Sequence, residues 1–376
     1  MVSDVLASIV IPTKNAGPEF RQTLDAIRRQ TLKSEIFIVD SGSTDGTLQL
    51  ATDFGAHITT IAPETFNHGA TRNLGVGQTR TPFCIMLVQD AVPVGDEWLE
   101  TLLSPFCDNR VVGVTAQQVP RADSNAVARW QVEYRIRFLG DRPRVQEVCD
   151  WGHFLDLGFQ ERLRLASFDN VCSGIRRSFW ETHPFRPVSF AEDLDWGMHA
   201  IKAGFRLVYS PDAQVIHSHN RPAAYHLKRS YVSGRIVPGI LEMNPLDNGV
   251  HTDAELLRSL GELCGEARTL VDDQVTDWRS FREYARFGIR DLLRTPIRLL
   301  QPNSAPSTPM RGNFYFILDQ VLGPNEATAA SLRSVVPAAL AEAAGAFIAE
   351  YYNWCEANGT VSDGLRRLDQ VLSKGV

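Results

Sequence analysis

Ala7-Ser8-Ile9-Val10-Ile11-Pro12-Thr13-Lys14-Asn15 and, after an intervening helical pattern, Ile36-Phe37-Ile38-Val39-Asp40-Ser41-Gly42-Ser43-Thr44-Asp45-Gly46 decide the fold of this 376-residue chain. Each stretch opens with a short apolar, β-branched run, as a strand buried on both faces of a parallel sheet does. Each then ends in a polar loop. Between them Phe20, Leu24, Ile27 and Leu32 recur at helical spacing. Leu48 to Phe54 reads as helix again, His57 to Ile61 as a third strand and Ile85 to Val88 as a fourth. This alternation predicts βαβ units and a doubly wound sheet. Ligands on such sheets bind beyond the carboxyl ends of the strands, where Thr13, Asp40 and Asp90 all lie.

Working outward, Val111 to Val119 reads as a strand and Asn125 to Phe138 as a helix, with residues 140–170 irregular and polar-aromatic. Val171 to Ile175, Phe205 to Val208 and Ala213 to His217 are strand-like. From Tyr225 the pattern turns helical, Gln301 to Gly312 is rich in Pro and Ser and reads as a linker, and Asn325 to Trp354 is an alanine-rich helix. The expected division is an α/β domain over 1–222, a helical extension over 223–300, a linker over 301–313 and a helical tail over 314–376.

Composition excludes several classes. A net charge of −6 gives no general attraction to nucleic acid or anionic lipid. Six cysteines, Cys84, Cys107, Cys149, Cys172, Cys264 and Cys355, include no CxxC pair and read as reduced core thiols. No secretory signal pattern opens the chain, and no apolar run reaches about 18 residues, so a cytoplasmic protein is expected. One local exception lies between Asp277 and Leu300. Arginines at 279, 282, 286, 290, 294 and 298 flank an apolar stripe of Trp278, Phe281, Ala285, Ile289 and Leu292. That pattern suits either a helix lying on a membrane surface or a packed helix with its arginines in solvent. The final helical segment reads as a bundle suited to self-association.

Chemistry is concentrated in a few places. Glu192, Asp193 and Asp195 fall within four positions where a helical pattern of Met198, Ile201 and Phe205 begins. Carboxylates there either complement the positive end of the helix dipole or supply a catalytic base. The loop after the first strand lacks GxGxxG, Gly75-Val76-Gly77 runs on to Arg80, and no Walker sequence occurs; both phosphate-loop classes are disfavoured. Asp40 either caps its Gly/Ser turn or accepts from a pyrimidine imino N–H or a ribose hydroxyl. Arg72 is either a solvated helix residue or a cation for a diphosphate. Asp90, in Gln89-Asp90-Ala91, either caps the next helix or meets ribose or a divalent metal. His217 and His219 alternate, so on an extended segment both face one side, as a metal-ligand pair would.

The order of these motifs is more informative than any one of them. Ile-Pro-Thr-Lys-Asn at 11–15, Val-Asp-Ser-Gly-Ser-Thr-Asp-Gly-Thr at 39–47, Gly-Ala-Thr-Arg-Asn-Leu-Gly at 69–75, Asp90, Glu192-Asp193 and His217-Ser218-His219 together resemble the family 2 glycosyltransferases of GT-A fold, over about residues 5 to 220. Phe66 to Gly75 and the Gln-Asp-Ala variant look most like the bacterial rhamnosyltransferase branch, which builds O-antigen and other surface polysaccharides from dTDP-L-rhamnose. The resemblance implies an α/β GT-A domain with a mixed sheet and a helical C-terminal region. It implies donor-base contacts from Thr13 and Asp40, and nucleotide or diphosphate contacts from Arg72. Gln89 and Asp90 would lie at the ribose or metal, Asp193 would be the base with Glu192 beside it, and Asp90 with His217 or His219 would form a metal or phosphate site. The usual DxD-type motif is here a single aspartate between Gln89 and Ala91, which shifts a ligand for Mg²⁺ or Mn²⁺ toward the histidines. Expected partners are a nucleotide-sugar donor and a glycan or lipid-linked acceptor. A single base without a second, nucleophilic carboxylate implies direct displacement with inversion. The alternatives are a UDP-hexose donor, or an idle nucleotide-sugar-binding scaffold.

Overall fold

The computed structural model describes residues 5–271, 309–322 and 329–374. The arginine stripe of 277–300 and residues 301–308 of the expected linker lie outside these. The chain divides into two compact units, Met1–Asp123 with Gln131–Ser218, and Ser124–Trp130 with His219–Val376.

The first unit is built on a nine-stranded sheet. Its strands are β1 Ala7–Thr13, β2 Ser34–Asp40, β3 His57–Thr60, β4 Phe83–Leu87, β5 Val92–Pro93, β6 Val111–Val119, β7 Arg144–Gln146, β8 Cys172–Arg176 and β9 Arg206–Ile216. The order is β3-β2-β1-β4-β8-β6-β9-β5, with β7 also on β9. β1 to β4 are parallel, as the βαβ pattern predicts. β8 runs antiparallel between β4 and β6, so its beginning lies beside their carboxyl ends. This makes the sheet mixed and brings residues 169–171 to the ligand edge.

The helices of this stretch are α1 Phe20–Arg28, α2 Thr47–Asp53, α3 His68–Gln78, α4 Trp98–Leu103, α5 Ala126–Leu139, α6 Trp151–Asp156, α7 Phe159–Ala166, α8 Arg177–Trp180 and α9 Glu192–Lys202; α1 to α4 and α7 to α9 pack on the strands. α1 buries Phe20, Leu24 and Ile27, three of the four residues expected on its inner face; Leu32 lies beyond its end. The core joins Ile9, Ile11, Ile38, Ile85 and Leu87 of the sheet to Trp98, Leu99 and Leu102 of α4. α3 sits so close to β1 that a Cβ at Gly75 would fall 2.3 Å from Val10 Cγ1. Glycine at 75 therefore sets the depth of that helix.

Three readings of the sequence are revised. Residues 140–170 are not irregular but hold β7, α6 and α7. The strand pieces at 205–208 and 213–217 are one strand, β9, with a break in register where Ala116 pairs Ser210 but Gln117 pairs Gln214. Such irregularities bend a strand and re-aim its residues; this one carries the chain to His217, whose N–H bonds Val119 O at 2.9 Å. Finally, Pro309 to Gly312, expected at the end of a linker, form the first turn of a helix spanning Pro309–Leu322, with proline at the position where its missing N–H costs nothing.

The second unit is helical, with α10 Ala223–Ile240 and α11 Asp253–Leu270 followed by helices Pro309–Leu322, Ala329–Ala357 and Asp363–Leu372. Against the expectation from apolar runs, Ser331–Ala357 is long and apolar enough to cross a membrane, with a mean hydropathy of 1.4. Its apolar window is 72% buried within the fold, as a core helix is. α10 packs tightly on it: a Cβ at Gly345 would meet Leu227 O at 2.4 Å, and one at Gly234 would meet Ala349 Cβ at 2.8 Å.

Candidate active site

Asp40 and Thr13 occupy the ends of two adjacent strands and bond each other. Thr13 Oγ1 donates to Asp40 Oδ2 at 2.8 Å. Asp40 also accepts from Gly42 N, Ser43 N and Ser43 Oγ at 3.0, 2.8 and 2.5 Å. A carboxylate has about four acceptor positions, and all are used. Both side chains are buried. Of the two sequence readings for Asp40, this geometry is the turn-capping one: it shapes the loop of residues 41–45 rather than offering a vacant lone pair to a base. Asn15 and Asp45 complete that loop. Asn15, at φ +46, accepts from Thr44 N at 2.8 Å. Asp45 Oδ2 accepts from Gly17 N at 3.0 Å, and its bonds with Thr47 hold its pKa below the usual carboxylate value.

Gln89 also binds backbone. Its Oε1 accepts from Lys14 N at 2.9 Å and its Nε2 donates to Lys14 O at 3.4 Å. It thus pins the loop after β1 and leaves Asp90 as the carboxylate of the Gln-Asp-Ala triplet.

Arg72 is neither solvated nor open to a ligand. Its helix begins at Asn67, whose side chain caps Ala70 N at 3.0 Å. Arg72 Nη1 then reaches Glu192 Oε1 at 2.7 Å, with the two side chains 5% and 8% exposed. Asn170 Nδ2 also donates to Glu192 Oε1, at 3.3 Å. The diphosphate role expected for Arg72 is therefore replaced, in this structure, by an ion pair tying α3 to the start of α9.

The carboxylate cluster divides three ways. Ala191 adopts φ +57 and ψ 41, in the left-handed region rare for a residue with a Cβ, and this turns the chain into α9. Glu192 points to Arg72. Asp195, 2% exposed, bonds Arg186 through both oxygens, with Nε to Oδ2 at 2.7 Å. Only Asp193 has neither an arginine partner in the described structure nor full burial. It accepts from Leu194 N at 2.8 Å and Asn170 N at 3.2 Å. Its loss of solvent, then the charges of Glu192 and Asp169, raise its pKa to about 7. A carboxylate poised there takes a proton at neutral pH, as a general base must.

Asp90 and His217 each offer one ligand atom, and these lie within 4.8 Å of each other. Asp90 and His217 belong to the first unit and His219 to the second. His217 Nε2 lies 3.7 Å from Asp90 Oδ1, too far for a hydrogen bond. A cation with bonds of about 2.0–2.1 Å fits between atoms so spaced. The mixed donor set of one carboxylate and one imidazole fits a borderline first-row ion such as Mn²⁺ better than Mg²⁺, which takes oxygen ligands.

Sequence reasoning missed Gln118, Arg135, Asp169 and Asn170. Asp169 lies beside Asp193 and receives Gln118 Nε2 at 2.5 Å, while Arg135 Nη2 forms an ion pair with it at 3.0 Å. The missed signal was the run Asp169-Asn170 just before a strand. The rule that ligands gather at carboxyl ends holds for parallel strands, and β8 is reversed.

A mixed sheet flanked by helices, with a polar cluster at the ends of its strands, is the GT-A fold. Residues 8–160 match the glycosyl transferase family 2 model. The O-antigen chain rhamnosyltransferase RfbN of Salmonella typhimurium (strain LT2) is 32% identical over 232 residues, 60% of this chain and 71% of that protein. WbaN of Salmonella anatum, also an O-antigen chain rhamnosyltransferase, is 31% identical over 232 residues, 60% of this chain and 70% of that protein. Among solved structures, the mannosyltransferase PcManGT from Pyrobaculum calidifontis, in complex with GDP-Man and Mn²⁺, aligns with a TM-score of 0.49 at 15% identity, over 77% of this chain and 82% of that one. The chain belongs to glycosyltransferase family 2 and is a glycosyltransferase, rhamnosyltransferase-like in sequence.

Proposed function

We propose that the protein transfers L-rhamnose from dTDP-L-rhamnose, with inversion, to a hydroxyl of a glycan or lipid-linked acceptor during assembly of a surface polysaccharide. The observation that carries the transfer chemistry is Asp193. It is the carboxylate of its cluster without an arginine partner, and it titrates near 7. Deprotonated, it takes the proton of the acceptor hydroxyl as that oxygen attacks the anomeric carbon, and the nucleoside diphosphate departs from the opposite face. With one base and, among the described residues, no carboxylate assigned as nucleophile, a single displacement follows, which inverts the centre.

Glu192, neutralised by Arg72, fixes the first turn of α9 and so the aim of Asp193. Asp90 and His217 would hold a divalent cation, Mg²⁺ or Mn²⁺, which offsets charge developing on the leaving diphosphate. The loop built by Thr13, Asp40 and Asn15 supports the donor base through its backbone. Similarity to two O-antigen rhamnosyltransferases favours rhamnose and a polysaccharide acceptor.

The test is hydrolysis of dTDP-L-rhamnose, UDP-glucose and UDP-galactose measured side by side, with the anomeric configuration of the product read by NMR. Fastest turnover of dTDP-L-rhamnose is expected. Faster turnover of a UDP-hexose removes the rhamnosyl assignment but leaves the transferase. Thermal protection by a donor without turnover of any of the three points to an idle binding scaffold.

A further inference from the structure

The geometry points to Asp169 as a positioning residue that, through Gln118, fixes which nitrogen of His217 carries the proton and so turns the lone pair of Nε2 toward Asp90. The inference rests on the metal reading above, but its core concerns side chains of the protein alone. A carboxylate only accepts hydrogen bonds. The Gln118 group 2.5 Å from Asp169 Oδ2 is therefore the amide NH₂. That turns the amide oxygen toward His217, whose Nδ1 lies 3.0 Å from it. An oxygen acceptor requires a hydrogen on Nδ1, and in a neutral imidazole the lone pair then belongs to the other nitrogen. Nε2 is the atom that faces Asp90 Oδ1 at 3.7 Å.

Asp169 is held so that it cannot act as a donor. Burial pushes its pKa up, but the Arg135 guanidinium beside it and its hydrogen bonds from Val171 N and the Gln118 amide hold it below the ordinary carboxylate value. Val171 N donates to its Oδ1 at 2.9 Å. Metal-binding histidines commonly have their second nitrogen fixed by a carboxylate or carbonyl, and losing that partner costs 10–100-fold in metal affinity. Here an amide stands between carboxylate and ring, and it can be reversed. With asparagine at 169, the facing group can donate, the Gln118 amide is free to turn over, and its NH₂ then meets Nδ1. The ring then takes the Nε2–H form, which has no lone pair for a cation.

The experiment uses the full chain with Asp169→Asn and, separately, Gln118→Met, which removes the relay while leaving the Asp169–Arg135 pair. Long-range ¹H–¹⁵N spectra of the metal-free protein report the His217 tautomer, and calorimetry with Mn²⁺ reports affinity. Wild type is expected as Nδ1–H. Both variants are expected to gain Nε2–H and to bind Mn²⁺ 10- to 100-fold more weakly. A wild-type ring in the Nε2–H form overturns the proposal, as do folded variants that bind Mn²⁺ within about twofold of wild type. If Asp169→Asn fails to fold, Gln118→Met decides alone. A wild-type Nδ1–H ring that shifts in the variants, in a protein that binds no Mn²⁺, upholds the relay and removes the metal reading instead.

Discussion

Asp193 and Asp195 stand two positions apart in one helical turn and are held in opposite ways. Asp195 is buried against Arg186; Asp193 is partly open, with its pKa near 7. Asp193→Asn is expected to keep donor binding and lower turnover by about 10²-fold or more. Asp195→Asn should keep most activity and lose about 1.5–3 kcal/mol of stability, the usual worth of hydrogen bonds to a charged group, read by urea unfolding. The reverse pattern would assign the base to Asp195. The raised pKa also predicts two pH trends. As the proposed base, Asp193 works only when ionised, so kcat/KM should climb with pH and level off above about 7. For stability, the folded pKa lies above the unfolded value of about 3.9. The native state then binds the extra proton between those values, and stability falls as pH rises through that window. Asp193→Asn should thus be more stable than wild type at pH 8, with the difference shrinking toward pH 4. Equal stability differences at both pH values would remove the perturbed carboxylate.

At the scale of elements, the joint between α3 and α9 aims Asp193, the proposed base. Arg72 and Glu192 are both nearly inaccessible, and removing one partner of such a pair strands a buried charge. Arg72→Leu is expected to cost about 3–5 kcal/mol, while Arg72→Leu with Glu192→Leu should recover most of it. A double variant as unstable as the single one would show that Glu192 is not stranded. The left-handed Ala191 belongs to the same joint: backbone strain of this kind persists where surrounding contacts over-determine the chain. Here those contacts are the Glu192–Arg72 pair and the bonds of Asn170 to both carboxylates.

For the whole molecule, ligand binding should register as stability. Mn²⁺ with dTDP, each at about 100 times its dissociation constant, should add about 2.7 kcal/mol per site. That corresponds to about 5–10 °C in Tm for a unit of this size. Chelation should remove the metal-dependent share, and Asp90→Ala should abolish it. An unchanged Tm on adding Mn²⁺, with activity intact after exhaustive chelation, would exclude the cation. The apolar helix Ser331–Ala357 bears on localisation through the same accounting of surface: most of its apolar window is already buried by neighbours.

The parallel half of the sheet was legible because strands buried on both faces must be largely apolar, and Ile9 to Pro12 and Ile36 to Val39 are continuously so. The carboxylates at 192, 193 and 195 were legible as a cluster because acidic residues at a helix start are few and local. Their division of labour was not. Which of them meets an arginine depends on Arg72, 120 residues away in sequence, and on Arg186. Asp169 and Gln118 were invisible for a related reason. They reach the site through the one reversed central strand and the register break in β9. Strand direction and register are decided by pairing across the sheet, and side-chain pattern along a single strand reads the same in either direction.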